Sequence, residues 1–292
     1  MTSVPARALC VTLCSVTVLG SHSGGMNMAQ EHSIADTATY THEKPEIQSI
    51  RAPDLKDALI KGIADFNEMP THLVFLCLIY LIVTLLAARV YAGYDVVPLV
   101  FPLLAGFTLL GPLVAVGMYE LSRRREMGLN TSRWKAFHVL QRHSIRAVSI
   151  LGAMLMVFYV AWLVVAWGLY VINFGNAIPA SIMEFTVSVL TTGPGWALIA
   201  LGGSIGFCFA VVVFTLSVVS FPMVLDRDIG VMMALETSIR AVLVNPVTMG
   251  LWGLIVVGLL FIAALPFFVG LAVVMPILGH ATWHLYRKVV KY

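Results

Sequence analysis

The chain has 292 residues, of which 59% are hydrophobic and 11% are charged, and its formal net charge is +3. Soluble chains carry about 25% charged residues, so this chain has too few to cover a water-facing globule. A soluble fold is excluded on that ground, and we expect lipid to surround most of the chain.

The first 52 residues differ in composition from the rest. Residues 8–20 are apolar, as the core of a signal peptide is, but they are shorter than the roughly 20 residues that cross a bilayer. A cleaved signal would also export the basic residues that follow. We therefore predict that residues 1–52 are a disordered cytoplasmic tail, with Met26 and Met28 as alternative starts that would make residues 1–25 non-native.

Long apolar segments recur from His72 onward, each long enough to cross a bilayer with some tilt. We predict an all-α polytopic membrane domain over residues 53–292, with six transmembrane helices. The predicted spans are residues 72–92, 96–119, 146–173, 195–223, 247–265 and 267–286. Pro266 divides the last two spans into a hairpin, because proline removes a backbone donor and clashes with the preceding turn.

The distribution of Lys and Arg predicts how these spans are oriented. Basic residues concentrate before the first span, after the second, after the fourth and in the C-terminal tail. The other connectors, at 93–95, 174–194 and Pro266, contain none. Because basic residues that flank spans stay in the cytoplasm, both termini are predicted to be cytoplasmic, and Arg89 beside Asp95 is the exception.

Internal similarity predicts three copies of one unit. The clearest matches lie 164 residues apart and pair Pro102 with Pro266, Gly106 with Gly270, and Pro112 with Pro276. We predict three parallel pseudo-repeated hairpins, each preceded by a short cytoplasmic amphipathic helix on the membrane surface. The alternative is a helix bundle whose similarity reflects core packing alone.

The three amphipathic helices are predicted from apolar residues at helical spacing. The apolar positions are Leu55, Leu59, Gly62, Ile63 and Phe66 in the first helix, Trp134, Phe137 and Leu140 in the second, and Met232, Leu235, Ile239 and Val242 in the third. In the first helix the other faces carry Lys56, Asp57, Lys61 and Asp65. Asp54 is placed to cap the first helix and Ser132 to cap the second.

His280 and His284 are the candidate metal ligands, since they lie one helical turn apart at the inner end of the last span. This spacing is found in metal sites and in haem sites. Two histidines are too few for a tetrahedral zinc site, although His138 and His143 lie in a cytoplasmic connector. The favoured alternative is an interfacial belt, which the neighbouring Trp283 indicates.

Charged residues at the inner ends of the second and fourth spans predict a salt-bridged cytoplasmic collar or a site for an acidic ligand. These residues are Glu120, Arg123 and Arg124 after the second span, and Asp226, Arg227 and Asp228 after the fourth. Ordinary anchoring of helix ends by basic residues is the favoured alternative.

The span cores lack Asp, Glu, Lys and Arg, which argues against an ion-coupled transporter or a proton pump. No catalytic constellation, phosphate-binding loop or nucleic-acid-binding patch is present in the sequence. Gly111-Pro112 and Met275-Pro276 occupy corresponding places in two copies, as the broken helices at transporter substrate sites do. Such prolines more often only kink packed helices.

These features predict a non-enzymatic membrane protein whose partners are the lipid bilayer and other membrane proteins. It would act as an accessory or scaffold component, or as a passive conduit for a small or lipid-like solute, without a cofactor. The alternative is a metal- or haem-binding redox subunit or enzyme that uses His280 and His284.

Four stretches of the sequence carry a resemblance to a known family. They are FNEMP at 66–70, GMYELSRRREMG at 117–128, the segment 220–228 from SFP to DRD, and GHATWHLY at 279–286. Over about residues 45–290 the chain resembles the bacterial predicted integral membrane proteins of domain-of-unknown-function family DUF2189. The resemblance implies a bacterial inner-membrane location and the six-span outline, and it implies no activity. Residues 1–25 depart from the usual start of the family.

Overall fold

A computed structural model describes residues 45–129, 144–227 and 229–292, all within one compact unit, Pro45–Tyr292. Residues 45–52, which end the predicted tail, belong to this unit. The rest of that tail and the second predicted amphipathic helix, including Ser132, lie outside the described residues.

The described chain is almost entirely helical, which confirms the all-α fold class. In chain order its elements are β1 (Glu46–Ile47), α1 (Ala52–Glu68), α2 (His72–Ala92), α3 (Val97–Phe107), α4 (Gly111–Val114), α5 (Val116–Glu126), α6 (Ile145–Phe174), α7 (Ile182–Thr191), α8 (Gly193–Ser217), α9 (Ser220–Asp226), α10 (Val231–Val244), α11 (Pro246–Ala264), α12 (Leu271–Val289) and β2 (Val290–Lys291). Two short 3-10 helices, Tyr94–Val96 and Thr108–Leu110, flank α3.

Five helical segments of the described chain are long and apolar enough to cross a membrane, which confirms a polytopic membrane protein. They are Leu73–Val90, Val97–Glu126, Ile145–Phe174, Gly193–Asp226 and Pro246–Ala264. Helix α12 has 19 residues, but His280, His284, Arg287 and Lys288 make its second half too polar to be one of the five. The sixth span therefore stays a prediction.

The chain breaks at Pro266 as predicted, since α11 ends at Ala264 and α12 begins at Leu271. Phe267 and Phe268 in this turn have φ angles of 49° and 64°, which L-residues rarely adopt.

The proline pairs that suggested a repeat do not occupy equivalent places. Pro102 lies inside α3, whereas Pro266 lies in a turn. Pro112 is the second residue of α4, which follows a 3-10 helix, whereas Pro276 lies inside the continuous α12. The three-copy repeat stays a prediction.

Helix α1 packs lengthwise against α12 through a narrow stripe of buried residues. The stripe consists of Leu55, Ala58, Gly62 and Asp65, spaced three or four residues apart. The placement of Asp65 on a polar outer face is therefore wrong, and Ile63, predicted on the apolar face, is 44% exposed. Asp54 lies in the first turn of α1, and its carboxylate accepts a hydrogen bond from the Arg51 backbone N–H at 2.9 Å.

Helix α10 packs against the rest of the protein mainly through small side chains. Its buried residues are Ala234, Thr237, Ser238 and Ala241. Met232, predicted on the apolar face, is 77% exposed. Leu235 and Val242, also predicted on the apolar face, are partly buried against the core.

The beginning and the end of the described unit lie side by side. Strands β1 and β2 are antiparallel, with Glu46 opposite Lys291 and Ile47 opposite Val290. Buried Asn245 accepts a hydrogen bond from the Ile50 N–H at 2.8 Å and donates one to the Gln48 carbonyl at 3.1 Å. The segment before α1 is thereby fixed to the start of α11.

Candidate functional site

Buried polar side chains from α1, α5 and α12 meet at one end of the unit, and we call this cluster the polar junction. Its members are Asp65, Ser122, Arg125, His280 and His284. Ser122 and His284 donate hydrogen bonds to Oδ2 of Asp65, His284 at 2.9 Å, and the Arg125 guanidinium pairs with Oδ1. Asp65 is only 1% exposed, so these donors replace the water it would bind in an unfolded chain.

The surroundings of Asp65 keep its carboxylate ionised. Burial acts to raise its pKa, but the hydrogen bonds from His284, Ser122 and Arg125 outweigh that effect and lower the pKa to about 2. Arg125 also pairs with Glu68, one turn further along α1. The junction therefore ties α1 to both α5 and α12.

His280 occupies a fully buried position beside Asp65. Its Nδ1 lies 2.7 Å from the Ser122 hydroxyl oxygen. Because the single Ser122 hydrogen is donated to Asp65, His280 must donate its own Nδ1–H to Ser122. Its Nε2 is then an acceptor, and it has no hydrogen-bond partner among the described residues.

The structure thus brings the two predicted metal ligands together. However, His280 directs its Nδ1 toward Ser122, and His284 directs its Nε2 toward Asp65. Within the described ranges, no group of three or more His, Cys, Asp or Glu side chains is arranged to hold a metal ion. His138 and His143 lie outside those ranges. The geometry adds no third ligand to the metal or haem interpretation of His280 and His284.

Acidic residues in both halves of the predicted collar accept hydrogen bonds or form ion pairs. Glu120 pairs within its own helix with Arg123 at 2.9 Å and with Arg124 at 3.6 Å. Asp226 accepts hydrogen bonds from the Tyr286 hydroxyl at 2.8 Å and from the Arg287 guanidinium at 3.2 Å.

Arg227 lies beside Asp226. The Arg227 guanidinium is 3.8 Å from Asp226 and lies over the Tyr292 ring at 4.5 Å. Asp228 lies outside the described residues. Arg287 also reaches Glu126 at 3.3 Å, so α12 connects the ends of α5 and α9.

A second feature is a partly open apolar cavity of about 180 Å³ between α2, α3, α4, α6, α11 and α12. Gly111 and Met275, from the two predicted broken stretches, both line it, as does Phe268 of the strained turn. Two hydroxyl groups lie in the described lining, those of Thr108 and Tyr159. The Thr108 hydroxyl donates to the Ala105 carbonyl at 2.6 Å.

Residues 100–226 match the family model described as predicted integral membrane protein (DUF2189). This match confirms the resemblance over that region, and the DUF2189 description specifies no activity. The matched region includes Ser122 and Arg125 of the polar junction and Gly111 and Tyr159 of the cavity. No curated protein and no solved structure matches the chain.

Sequence reasoning missed the centre of the polar junction, because Asp65 belongs to none of the four stretches that carry the family resemblance, and the stretch that contains Ser122 implies no role for it. Asp65 lies outside the part of the chain that matches DUF2189. One signal was available, since Asp65 follows Gly62 by three residues on the stripe that includes Leu55. The cavity was anticipated only through the two predicted broken stretches, which contribute Gly111 and Met275 to its lining.

Proposed function

We propose that this integral membrane protein is a non-enzymatic component that holds or conducts a small or lipid-like apolar solute within the bilayer. The observation that carries the proposal is the apolar cavity between its helices. An engineered apolar cavity of about 150 Å³ stays dry and binds benzene. The 180 Å³ cavity is of comparable size, so a ring or short-chain segment fits it.

The chemistry of the cavity wall supports a passive role. Its described lining consists of apolar side chains, one glycine and two hydroxyl-bearing residues, without Asp, Glu, Lys, Arg or His. Such a wall offers neither a nucleophile with its base nor a charge for an ion. A pure scaffold would need no cavity, so the geometry favours a binder or conduit.

The proposal includes a bacterial inner-membrane location with six crossings and cytoplasmic termini. The pairing of Arg125 with Asp65 supports this arrangement, because it joins the helix before the first span to the end of the second. The hydrogen bond from Tyr286 to Asp226 supports it as well. Since α11 leaves the end of the fourth span, α12 must return for Tyr286 to reach Asp226.

A cavity-filling variant tests the proposal. Gly111 lines the cavity, and a Cβ added there meets no atom within 4 Å, so Gly111→Leu should fold and occupy the space. We expect it to weaken binding of 4-fluorotoluene by at least about tenfold, the effect of 1.4 kcal/mol. Ligand-observed fluorine NMR on the purified full chain in micelles measures the binding.

Gly202→Leu in α8 is the matched control. A Cβ at Gly202 also meets no atom within 4 Å, and this glycine is not part of the cavity lining. The control should bind the probe as the unmodified chain does. Equal binding by Gly111→Leu and the unmodified chain would overturn the proposal.

A further inference from the structure

The Tyr159 hydroxyl lies in the cavity wall without a well-formed hydrogen bond. It donates toward the Leu103 carbonyl at 3.5 Å, whereas O–H···O hydrogen bonds usually measure about 2.5–3.0 Å. The Thr108 hydroxyl, by contrast, is satisfied at 2.6 Å. A poorly paired donor in apolar surroundings costs free energy, and an oxygen atom of a bound molecule would remove that cost.

The ring of Tyr159 packs closely against α3. Trp162, one turn further along α6, donates its Nε1–H to the Pro102 carbonyl at 2.9 Å and fixes α6 against α3. Both rings lie against Gly106, where an added Cβ would be 2.6 Å from Trp162 and 2.9 Å from Tyr159. The hydroxyl is therefore preorganised beside the cavity.

We propose that the cavity binds an apolar molecule with a ring-sized end that carries one hydroxyl or carbonyl oxygen, and that this oxygen hydrogen-bonds to the Tyr159 hydroxyl. The inference rests on the proposed function, because it names the ligand class of the same cavity. The apolar walls accept the ring, and Tyr159 selects the oxygen. Tyr159 is thus a specificity-determining residue.

Two probes of nearly equal shape test this selection. In 4-fluorophenol a hydroxyl replaces the methyl group of 4-fluorotoluene, and fluorine NMR reports the binding of each to the purified full chain. Tyr159→Phe keeps the ring and removes the hydroxyl. We expect this variant to weaken binding of 4-fluorophenol about fivefold, the effect of one neutral hydrogen bond, and to leave binding of 4-fluorotoluene within about twofold.

Tyr170→Phe is the matched control on the same helix. The Tyr170 hydroxyl donates to the Ala177 carbonyl at 2.5 Å, and Tyr170 is not part of the cavity lining. This variant should change the affinity for neither probe. Each probe also partitions into the micelles themselves. The signal measured with Gly111→Leu gives this background, which is subtracted from the signal of each other protein.

The outcomes separate the two proposals. If both probes bind and Tyr159→Phe weakens neither, or both equally, the oxygen selection is overturned and the apolar binding site stands. If neither probe binds more to the unmodified chain than to Gly111→Leu, the binding site is overturned, and the inference about Tyr159 with it.

Discussion

At the scale of single residues, Asp65 shows how a buried carboxylate stabilises a fold. Its folded-state pKa of about 2 lies below the value near 3.9 of an unfolded aspartate. A depressed folded-state pKa means that the ionised group contributes stability at pH values above the unfolded pKa. That contribution is lost as the pH falls from about 4 toward 2.

Asp65→Asn should lower the free energy of unfolding by about 3 kcal/mol at pH 7, because it leaves the Arg125 guanidinium without its buried counter-ion. Between pH 4 and pH 2, the free energy of unfolding of the variant should also fall less than that of the unmodified chain. Thermal unfolding of the purified protein in detergent, measured from pH 7 downward, checks both effects.

Asp57→Asn is the control for this prediction. Asp57 forms ion pairs with Lys61 at 2.9 Å and with Lys288 at 3.0 Å on an accessible surface. Such pairs contribute about 0–1 kcal/mol. Similar melting temperatures for both variants at pH 7 would contradict the role assigned to Asp65.

The burial of Asp65 could not be predicted from its neighbours in the sequence. Amphipathic patterns assign charged residues to water, and by that rule Asp65 belongs with Lys61 on an outer face. Its donors Ser122 and His284 lie 57 and 219 residues away in the chain. Only the tertiary fold brings these donors together, so no local pattern reveals the site.

At the scale of elements, the close approach of α1 and α12 depends on Gly62. A Cβ at Gly62 would lie 2.7 Å from the Ala281 backbone nitrogen and 2.9 Å from its Cα. Backbone atoms cannot move aside as a flexible side chain can, so the two helices would have to separate. This contact also positions Asp65 one turn further along α1.

Gly62→Ala should therefore destabilise the protein by about 1–3 kcal/mol, although alanine in a helix is normally favoured over glycine by about 1 kcal/mol. Gly168→Ala in α6, where an added Cβ meets no atom within 4 Å, should be neutral or stabilising. The melting temperatures of both variants, measured by thermal unfolding and compared with that of the unmodified chain, test this prediction. A Gly62→Ala protein as stable as the unmodified chain would exclude a tight helix contact.

The existence of the long helices could be predicted from the sequence, but their packing faces could not. In α10 the small residues Ala234, Ser238 and Ala241 are buried, and Ser238 accepts a hydrogen bond from the Val219 N–H at 3.2 Å, a contact 19 residues away in the chain that no local pattern reveals. The short helix α7 was missed inside a connector. Its signal was present, since Ser181 and Glu184 have capping-box spacing and the Glu184 N–H donates to the Ser181 hydroxyl at 3.1 Å.

At the scale of the whole molecule, the contacts agree with the charge asymmetry of the sequence. Helix α1 and the ends of α5, α9 and α12 meet through the pairs Arg125–Asp65, Arg287–Glu126 and Arg287–Asp226. These are the segments whose basic residues predicted a cytoplasmic position. Two independent properties, composition and contact geometry, therefore point to the same end of the molecule.

Cysteines introduced at Met127 and Asn176 should react with an impermeant thiol reagent from opposite sides of the membrane. Met127 follows the second span and Asn176 follows α6, so one crossing separates them. Met127→Cys should be labelled only in inverted vesicles and Asn176→Cys in intact spheroplasts, because the basic residues beside Met127 predict a cytoplasmic position for it. Both cysteines are introduced into a chain whose four native cysteines, Cys10, Cys14, Cys77 and Cys208, are replaced by serine, and that chain without an added cysteine provides the baseline. Labelling of both cysteines from one side would remove the crossing between them and, with it, the cytoplasmic position of both termini.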